Sequence, residues 1–214
     1  IALGLACTEQ DRRSSGGHTI DASAFDEIFA DFVTSNGPGC AFAVSHAGQV
    51  IETRAYGSAN LEHAIQNTPE TVFELGSVSK QFTAAVIALL AEEGAVDLDE
   101  NIREYFPEIP KYVRPITVRH LVHHTSGLRD IYTLMSLAGI RLEDVFTDKQ
   151  AIELIAAQRE TNFEPGSEYL YSNSGYFLLA QLVERVSRSP LSLGRVYTQI
   201  ESILIKKNQD DAMD

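Results

Sequence analysis

An alanine-rich apolar run with helical spacing constrains this chain more than any other feature of its sequence. Its large apolar residues recur at intervals of three and four positions, which predicts a helix with one buried face; they are Phe82, Val86, Leu89 and Leu90. Ser77 and Lys80 stand where this helix begins. Because residues i and i+3 share a helix face, we expect the Ser77 hydroxyl and the Lys80 amine within hydrogen-bond reach of each other.

A serine next to a lysine is a candidate nucleophile with its base. A serine hydroxyl is a poor nucleophile at neutral pH and needs an adjacent base. A lysine can be that base where burial and neighbouring positive charge favour its neutral form. The unpaired N–H groups and the dipole of a helix start also favour negative charge that develops there. The pattern is short, and the alternative is that Ser77 or Ser79 only caps the helix.

Composition and charge exclude several classes of protein. The chain has 214 residues, 44% hydrophobic and 22% charged, as in a globular protein with one substantial domain or two small lobes. The net charge is −13, and no run of lysine or arginine interrupts the acidity. This argues against a nucleic acid or an anionic membrane as a partner. No apolar stretch approaches the length of a membrane-spanning helix.

The first residues have the character of the apolar end of an export signal. Leu5-Ala6-Cys7 is typical of a lipoprotein processing site, although Gly4 stands where such sites usually carry an aliphatic residue. On this interpretation the protein is exported, to the periplasm or the outside, with Cys7 as a candidate lipid anchor. The alternative is a ragged fragment end. Cys40 lies in an apolar context and is expected to be a small buried residue, not half of a disulfide.

The pattern of the chain predicts one domain between two end segments. We expect an export-signal remnant and linker over residues 1–20, the domain over residues 21–190, and a divergent tail over residues 191–214. Residues 128–147 show no clear pattern. The predicted elements are a helix with the apolar stripe Phe25, Ile28, Phe29, Phe32 and Val33, strands over 40–45 and 49–56 joined by a turn at 46–48, irregular chain over 61–75, and helices over 118–124, over 149–159 and from Gly175 to before Pro190.

A second candidate site is Tyr171-Ser172-Asn173, which lies directly before the last of these helices. A tyrosine can carry a proton if nearby cations hold its pKa down. An asparagine amide can orient a substrate carbonyl or a lysine. The alternative is ordinary, since a tyrosine is often half-buried and Ser-Asn-Ser-Gly is common at the start of a helix.

Together these stretches resemble a known superfamily. Ser77-Val78-Ser79-Lys80 resembles the first motif of the serine β-lactamases and penicillin-binding proteins, and Tyr171-Ser172-Asn173 resembles the Tyr-x-Asn motif of the class C type. Residues 55–57, 122–128 and 163–167 are also similar, so that the likeness covers about residues 22–190. It implies an α+β fold of the β-lactamase/transpeptidase type, with an N-terminal hairpin of an antiparallel sheet and a helical lobe.

The resemblance also implies a mechanism. Ser77 is expected to attack a carbonyl and form an acyl-enzyme, with Lys80 and Tyr171 sharing the proton transfers and Asn173 helping to place the substrate. Water then releases the acyl group. The acyl donor is a β-lactam, a D-alanyl peptide or an ester. In this superfamily two backbone N–H groups hold the oxyanion, one from the nucleophile and one from a late strand.

The sequence departs from the superfamily at its third motif. That motif is a Lys-Thr-Gly or His-x-Gly on the late strand, and no such triplet follows Asn173. His46-Ala47-Gly48 fits the letters but precedes Ser77, and we assign it to the hairpin turn. We therefore expect a member that is truncated at its C-terminal end, without the late strands, and a poor catalyst or none.

Two alternatives to a serine acyl hydrolase stay open. One is a degenerate member that binds an acyl ligand, reacts with it once or merely serves as a scaffold. The other is a metal-dependent hydrolase with His120, His123 and His124, at i, i+3 and i+4, as ligands. Neither a His-Glu-x-x-His signature nor a Gly-x-Ser-x-Gly elbow occurs. On the favoured interpretation there is no metal and no cofactor, the partner is a small-molecule or peptide acyl substrate, and the oligomeric state is left undetermined.

Overall fold

The fold is α+β, as predicted, in a computed structural model that describes residues 22–32 and 37–187. The chain divides between Glu74 and Leu75 into two compact units, which we describe separately. The predicted end segments over residues 1–20 and 191–214 lie outside the described residues, and Cys7 lies there too. Cys40 is half-buried and carries a free thiol.

The first unit contains the predicted hairpin. Strand β1 (Cys40–His46) pairs antiparallel with β2 (Gln49–Tyr56), which confirms the prediction and extends the first strand by one residue. The turn consists of Ala47 and Gly48, whose φ angles are 50° and 78°. Positive φ at both turn residues matches the right-handed twist of the paired strands.

Aromatic side chains join the first helix to this hairpin. Helix α1 (Ala22–Ile28) and a 3-10 turn (Ala30–Phe32) precede the strands. Phe29 stacks on Phe42 and Tyr56, with ring centroids 5.0 and 5.2 Å apart. Two members of the predicted stripe, Ile28 and Phe32, are exposed instead. Val33 lies outside the described residues.

A second small hairpin follows the first. Strand β3 (Ser58–Asn60) pairs antiparallel with β4 (Ile65–Gln66). The prediction of irregular chain from residue 61 is therefore wrong at 65–66. Strands of two and three residues are too short to show an alternating pattern, which is why the sequence does not reveal them.

The second unit is helical in the part that the structure describes, residues 75–187. Its elements are a 3-10 turn (Gly76–Val78), α2 (Ser79–Glu92), a second 3-10 turn (Ile102–Glu104), α3 (Val118–Val122), α4 (Ile131–Leu137), α5 (Asp148–Ala156) and α6 (Asn173–Ser187). Helix α2 is confirmed, and its buried face is Val86, Ile87 and Leu90. Helices α2 and α3 pack on α6, which buries Leu178, Leu179, Leu182 and Val183.

The boundaries of the helices differ from the predictions by one to three residues. The Thr117 side chain caps α3 by accepting a hydrogen bond from the backbone nitrogen of His120, but the helix ends at Val122 and not at the predicted residue 124. His124 has a φ of 58°, which is incompatible with a continued helix. Helix α6 begins at Asn173, before the predicted Gly175. Helix α4 lies within residues 128–147, where the sequence shows no clear pattern.

Within residues 22–32 and 37–187, no helix combines the length and the apolar character that a membrane crossing requires.

Candidate active site

Ser77 lies in a tight turn that leads into α2. Residues Gly76–Val78 form a 3-10 turn, and the residue before the helix is Val78, with no side chain capping either element. The alternative that Ser77 or Ser79 serves as an N-cap is therefore wrong. The Ser77 hydroxyl instead contacts Tyr171 and Lys80.

The four predicted site residues form one chain of hydrogen bonds. The Ser77 Oγ lies 2.7 Å from the Tyr171 Oη. The Lys80 Nζ donates to the Ser77 Oγ at 3.1 Å and to the Asn173 Oδ1 at 2.9 Å. The structure thus brings together side chains from the start of α2 and from the start of α6. Their catalytic roles stay predictions.

Asp130 holds the asparagine of this chain in place. Its Oδ2 accepts hydrogen bonds from the backbone nitrogen and the Nδ2 of Asn173, at 2.6 and 2.9 Å. Its Oδ1 caps α4 by accepting from the Tyr132 nitrogen at 3.0 Å. With the Nδ2 donating to Asp130, the Asn173 Oδ1 is the atom that faces Lys80. Sequence reasoning missed Asp130 because it lies in the stretch without a pattern.

Tyr171 is carried by a loop that is fastened to the residues after α3. Three backbone hydrogen bonds make this attachment, from Asn162 to Gly127, from Gly166 to Thr125 and from Leu170 to His124, at 2.8, 2.8 and 3.0 Å. Gly127 has a φ of 70°, and a Cβ there would lie 2.5 Å from the Phe163 carbonyl oxygen. The loop therefore approaches so closely that only glycine fits at this position.

His124 packs between two tyrosines of the site. Its ring centroid lies 4.5 Å from that of Tyr171 and 5.0 Å from that of Tyr176. The His124 Nδ1 accepts a hydrogen bond from the Ser172 nitrogen at 3.1 Å. Burial, and after it the charge of Lys80, lowers the pKa of His124 below its ordinary value. The imidazole is therefore neutral near pH 7, with its proton on Nε2.

Lys80 makes the phenol of Tyr171 more acidic. Its interaction with the Lys80 amine, and then its hydrogen bond with Ser77, lowers the pKa of Tyr171 below its ordinary value. The Lys80 Nζ also lies 5.0 Å from the centroid of the Tyr171 ring and 5.7 Å from that of Tyr176. The arrangement favours the phenolate form of Tyr171 beside the Lys80 cation. The phenolate oxygen can accept a proton from Ser77.

The side chains of the three histidines after Thr117 are not grouped as metal ligands in the described part of the chain. The His120 Nδ1 accepts from the Thr117 nitrogen at 3.1 Å, and the His124 Nδ1 is used by Ser172. Among the described residues there is no group of three His, Cys, Asp or Glu side chains placed to hold a metal ion. The alternative with His120, His123 and His124 as ligands gains no support.

Comparison with known proteins gives a family for this arrangement. The Beta-lactamase family matches residues 25–200. D-aminopeptidases of Gluconobacter oxydans (strain 621H) and of a strain of Brucella anthropi are 34% and 40% identical to the chain, over 72% and 70% of its length. The matched segments are 29% and 28% of those proteins. The chain thus spans less than a third of the length of these relatives.

Solved structures with the same fold include several hydrolases. EstCE1, described as a hydrolase with promiscuous acyltransferase activity, matches with a TM-score of 0.68 and 27% identity, over 83% of this chain and 48% of that one. D-amino acid amidase from Ochrobactrum anthropi SV3 matches with a TM-score of 0.64 and 30% identity, over 78% of this chain and 45% of that one.

A penicillin-binding protein homologue from Pyrococcus abyssi has the same fold as well. It matches with a TM-score of 0.65 and 29% identity, over 80% of this chain and 40% of that one. The resemblance inferred from the two motifs is confirmed: the chain belongs to the Beta-lactamase family of serine hydrolases, in the superfamily that includes the penicillin-binding proteins.

Proposed function

We propose that Ser77 is the nucleophile of an acyl hydrolase and carries the acyl group of its substrate as an ester. The observation that carries this proposal is the hydrogen-bonded chain from Tyr171 through Ser77 and Lys80 to Asn173. A serine hydroxyl is activated by contact with a base. Here that base is Tyr171, whose pKa is lowered by Lys80, and Lys80 is in turn held by Asn173.

The contacts suggest how the protons move. Lys80 donates to the Ser77 Oγ, and in the proposed first step the hydrogen of that hydroxyl points to the Tyr171 Oη, which lies 2.7 Å away. Tyr171 as phenolate takes this proton while the Ser77 Oγ bonds to the carbonyl carbon. It returns the proton to the leaving group when the bond between the acyl carbon and that group breaks. A water molecule then attacks the ester carbon and loses a proton to the Tyr171 phenolate. Tyr171 gives that proton to the Ser77 Oγ as the bond between Oγ and the acyl carbon breaks, which releases the acid and restores both the hydroxyl and the phenolate.

The substrate we propose is an amide or short peptide of a D-amino acid. The names of the relatives support this choice, since they include D-aminopeptidases and a D-amino acid amidase. A simple ester and a β-lactam are the other acyl donors to test, because EstCE1 and a penicillin-binding protein homologue share the fold. One fold in this superfamily serves several substrates, so the choice depends on experiment.

Peptide mass spectrometry after incubation with a fluorophosphonate, a penicillin and a D-amino acid amide tests the proposal. We expect an adduct on Ser77, and turnover that is lost in Ser77→Ala. A stable adduct on Ser77 without turnover favours the degenerate acyl-binding member. If a chelator abolishes the activity and Ser77→Ala leaves it unchanged, the protein is a metal-dependent hydrolase and the proposal is wrong.

We also propose that the protein is exported and anchored through Cys7. The support is the sequence Leu5-Ala6-Cys7 alone. Labelled fatty acid is expected to be incorporated by the full gene product and not by its Cys7→Ser variant. Equal labelling of the two would contradict the anchor.

A further inference from the structure

His124 contacts the residues on both sides of Tyr171, the proton carrier of the proposed reaction. Its backbone oxygen accepts a hydrogen bond from the Leu170 nitrogen at 3.0 Å. Its ring nitrogen Nδ1 accepts one from the Ser172 nitrogen at 3.1 Å. Its ring also lies against that of Tyr171, with the two centroids 4.5 Å apart. One residue therefore holds three consecutive residues, 170–172, although the proposed proton route does not use it.

The phenol of Tyr171 depends on these contacts for its position. The residue is 41% exposed, so solvent surrounds much of its side chain. Its hydroxyl contacts Ser77, and the Lys80 amine lies 5.0 Å from its ring centroid. The contact with Ser77 changes during the proposed reaction, because the serine hydroxyl becomes an ester. The contacts with His124 involve no reacting atom and can stay in place throughout.

The hydrogen bond from Ser172 requires an unprotonated Nδ1 on the ring of His124. A neutral imidazole has one acceptor nitrogen, whereas both nitrogens of an imidazolium are donors. A proton on Nδ1 would therefore set two N–H groups against each other across 3.1 Å. Burial, and after it the Lys80 cation, opposes this proton and lowers the pKa of His124. The charged and titratable side chains that face the ring are Lys80 from α2, Tyr169 and Tyr171 from the loop, and Tyr176 from α6.

We propose that the neutral ring of His124 is a positioning group that holds Tyr171 beside Ser77 and Lys80, and that its protonation frees Ser172 and displaces the phenol. The inference rests on the proposed function and deepens it, since it adds a residue that acts on the reaction through another residue. Loss of the ring is expected to slow the acylation of Ser77 by about tenfold or more, because a small misplacement of a reacting group has a large effect on the rate.

The acidity of the phenol reports its position without any need for activity. Lys80 and Ser77 lower the pKa of Tyr171 only while the phenol lies beside them. His124→Gly removes the ring and suits the φ of 58°, and we expect it to raise the pKa of Tyr171 toward its ordinary value. His124→Asn keeps an acceptor at this position and is expected to raise it less. The measurement is ultraviolet difference titration, with the matching Tyr171→Phe protein subtracted in each case.

His123→Gly is the matched control, because it makes the same substitution at the adjacent, exposed position. It should leave both the titration of Tyr171 and the acylation rate unchanged. A folded His124→Gly protein in which Tyr171 keeps its wild-type pKa overturns the inference. Should His124→Gly fail to fold, the dependence of the acylation rate on pH decides.

This dependence also tests the role of protonation. With nitrophenyl acetate as acyl donor, and the adduct on Ser77 measured by mass spectrometry, the rate should fall about tenfold per pH unit as the Tyr171 phenolate is lost. Below the pKa of His124, measured by NMR of its ring, we expect a fall of about a hundredfold per unit, since two groups then titrate. His124→Asn should keep the tenfold slope. A wild-type slope that stays tenfold through the titration of His124 refutes the displacement.

The outcomes separate this inference from the proposed function. If the wild type shows no acylation of Ser77, the proposed function fails, and the titration of Tyr171 still decides whether His124 positions the phenol. If Ser77 is acylated and Tyr171 titrates alike in His124→Gly and in the wild type, the nucleophile stands and the inference falls.

Discussion

The backbone nitrogen and the side-chain nitrogen of Asn173 donate to a single oxygen of Asp130. The distances are 2.6 and 2.9 Å. The other oxygen of Asp130 accepts from the Tyr132 nitrogen, so the carboxylate itself cannot turn freely. This pair of bonds does two things at once. It caps the start of α6, and it fixes which end of the Asn173 amide meets Lys80.

Asp130→Asn tests this positioning role. An asparagine side chain has one carbonyl oxygen and one NH₂ group, so it must set the NH₂ group against either the Asn173 donors or the Tyr132 N–H. We expect acylation of Ser77 to slow by about tenfold or more, since an unmatched donor costs roughly 1–3 kcal/mol. The measurement is the acylation rate, together with a thermal melt that confirms folding.

A double-mutant cycle distinguishes positioning from a general loss of stability. If Asp130 acts through Asn173, then Asp130→Asn should slow an Asn173→Ala enzyme much less than it slows the wild type. Additive effects in this cycle would show that Asp130 influences the rate by another route.

Removal of the Lys80 amine is expected to raise the pKa of Tyr171 toward its ordinary value. The interaction with Lys80 is the largest cause of the lowered pKa, so Lys80→Met removes it. The acidic limb of the pH–rate profile, along which the rate rises as the phenolate forms, should move to higher pH, and the rate at neutral pH should fall by about a hundredfold or more. Ultraviolet difference titration measures the phenolate directly, with Tyr171→Phe subtracted.

Lys149→Met is the control for this experiment. Lys149 is an exposed lysine on α5 that pairs with Glu153 at 3.8 Å, and its removal changes the net charge equally. An equal shift of Tyr171 in both variants would mean that net charge, and not the contact, sets the acidity of the phenol.

The sequence predicted the proximity of four side chains better than it predicted their surroundings. The spacing of Ser77 and Lys80 fixes their proximity by local geometry, because the turn and helix that hold them span only a few residues. Only the resemblance to the superfamily predicted that Tyr171 and Asn173 would lie close to Ser77 and Lys80. Asp130 contacts a residue far along the chain, in a stretch with no periodicity, so no local pattern reveals it. The helix ends before His124 because that residue has a positive φ, and nothing in the sequence pattern around it indicates such a φ.

Protein stability is expected to fall as the pH drops below about 6.5, the ordinary pKa of histidine. Burial lowers the pKa of His120 and of His124 in the folded protein. As the pH falls, these two histidines therefore bind protons in the unfolded chain before they do so in the folded protein. The stability that is present above this pH is lost as the pH falls toward their lower pKa values in the folded protein. Urea unfolding at about pH 5 and at about pH 7.5 measures the difference.

His124→Asn should weaken this dependence on pH. Asparagine keeps an acceptor for the Ser172 N–H and tolerates the φ of 58°. His63→Asn, at an exposed position in the first unit, is the control and should leave the dependence unchanged. A His124→Asn protein with the full acid sensitivity of the wild type would contradict the assignment.

Gly127→Ala is expected to destabilise the second unit and to lower the acylation rate. The new Cβ would lie 2.5 Å from the Phe163 carbonyl oxygen, which must move, and the φ of 70° adds backbone strain. We expect a loss of about 2 kcal/mol or more in unfolding free energy. Gly139→Ala has a φ of 75° with nothing within 4 Å of its Cβ. The difference between the two variants therefore isolates the close contact, and equal losses would show that φ alone matters.

The three backbone bonds between the Tyr171 loop and residues 124–127 bear on how the phenol moves. A loop tied at several points along its length cannot swing as a flap about its two ends. It can separate from residues 124–127 only in steps, as the three hydrogen bonds break one after another. Hydrogen exchange at the amides of Asn162, Gly166 and Leu170 is then expected to be slow. Its rate would report how long Tyr171 stays beside Ser77.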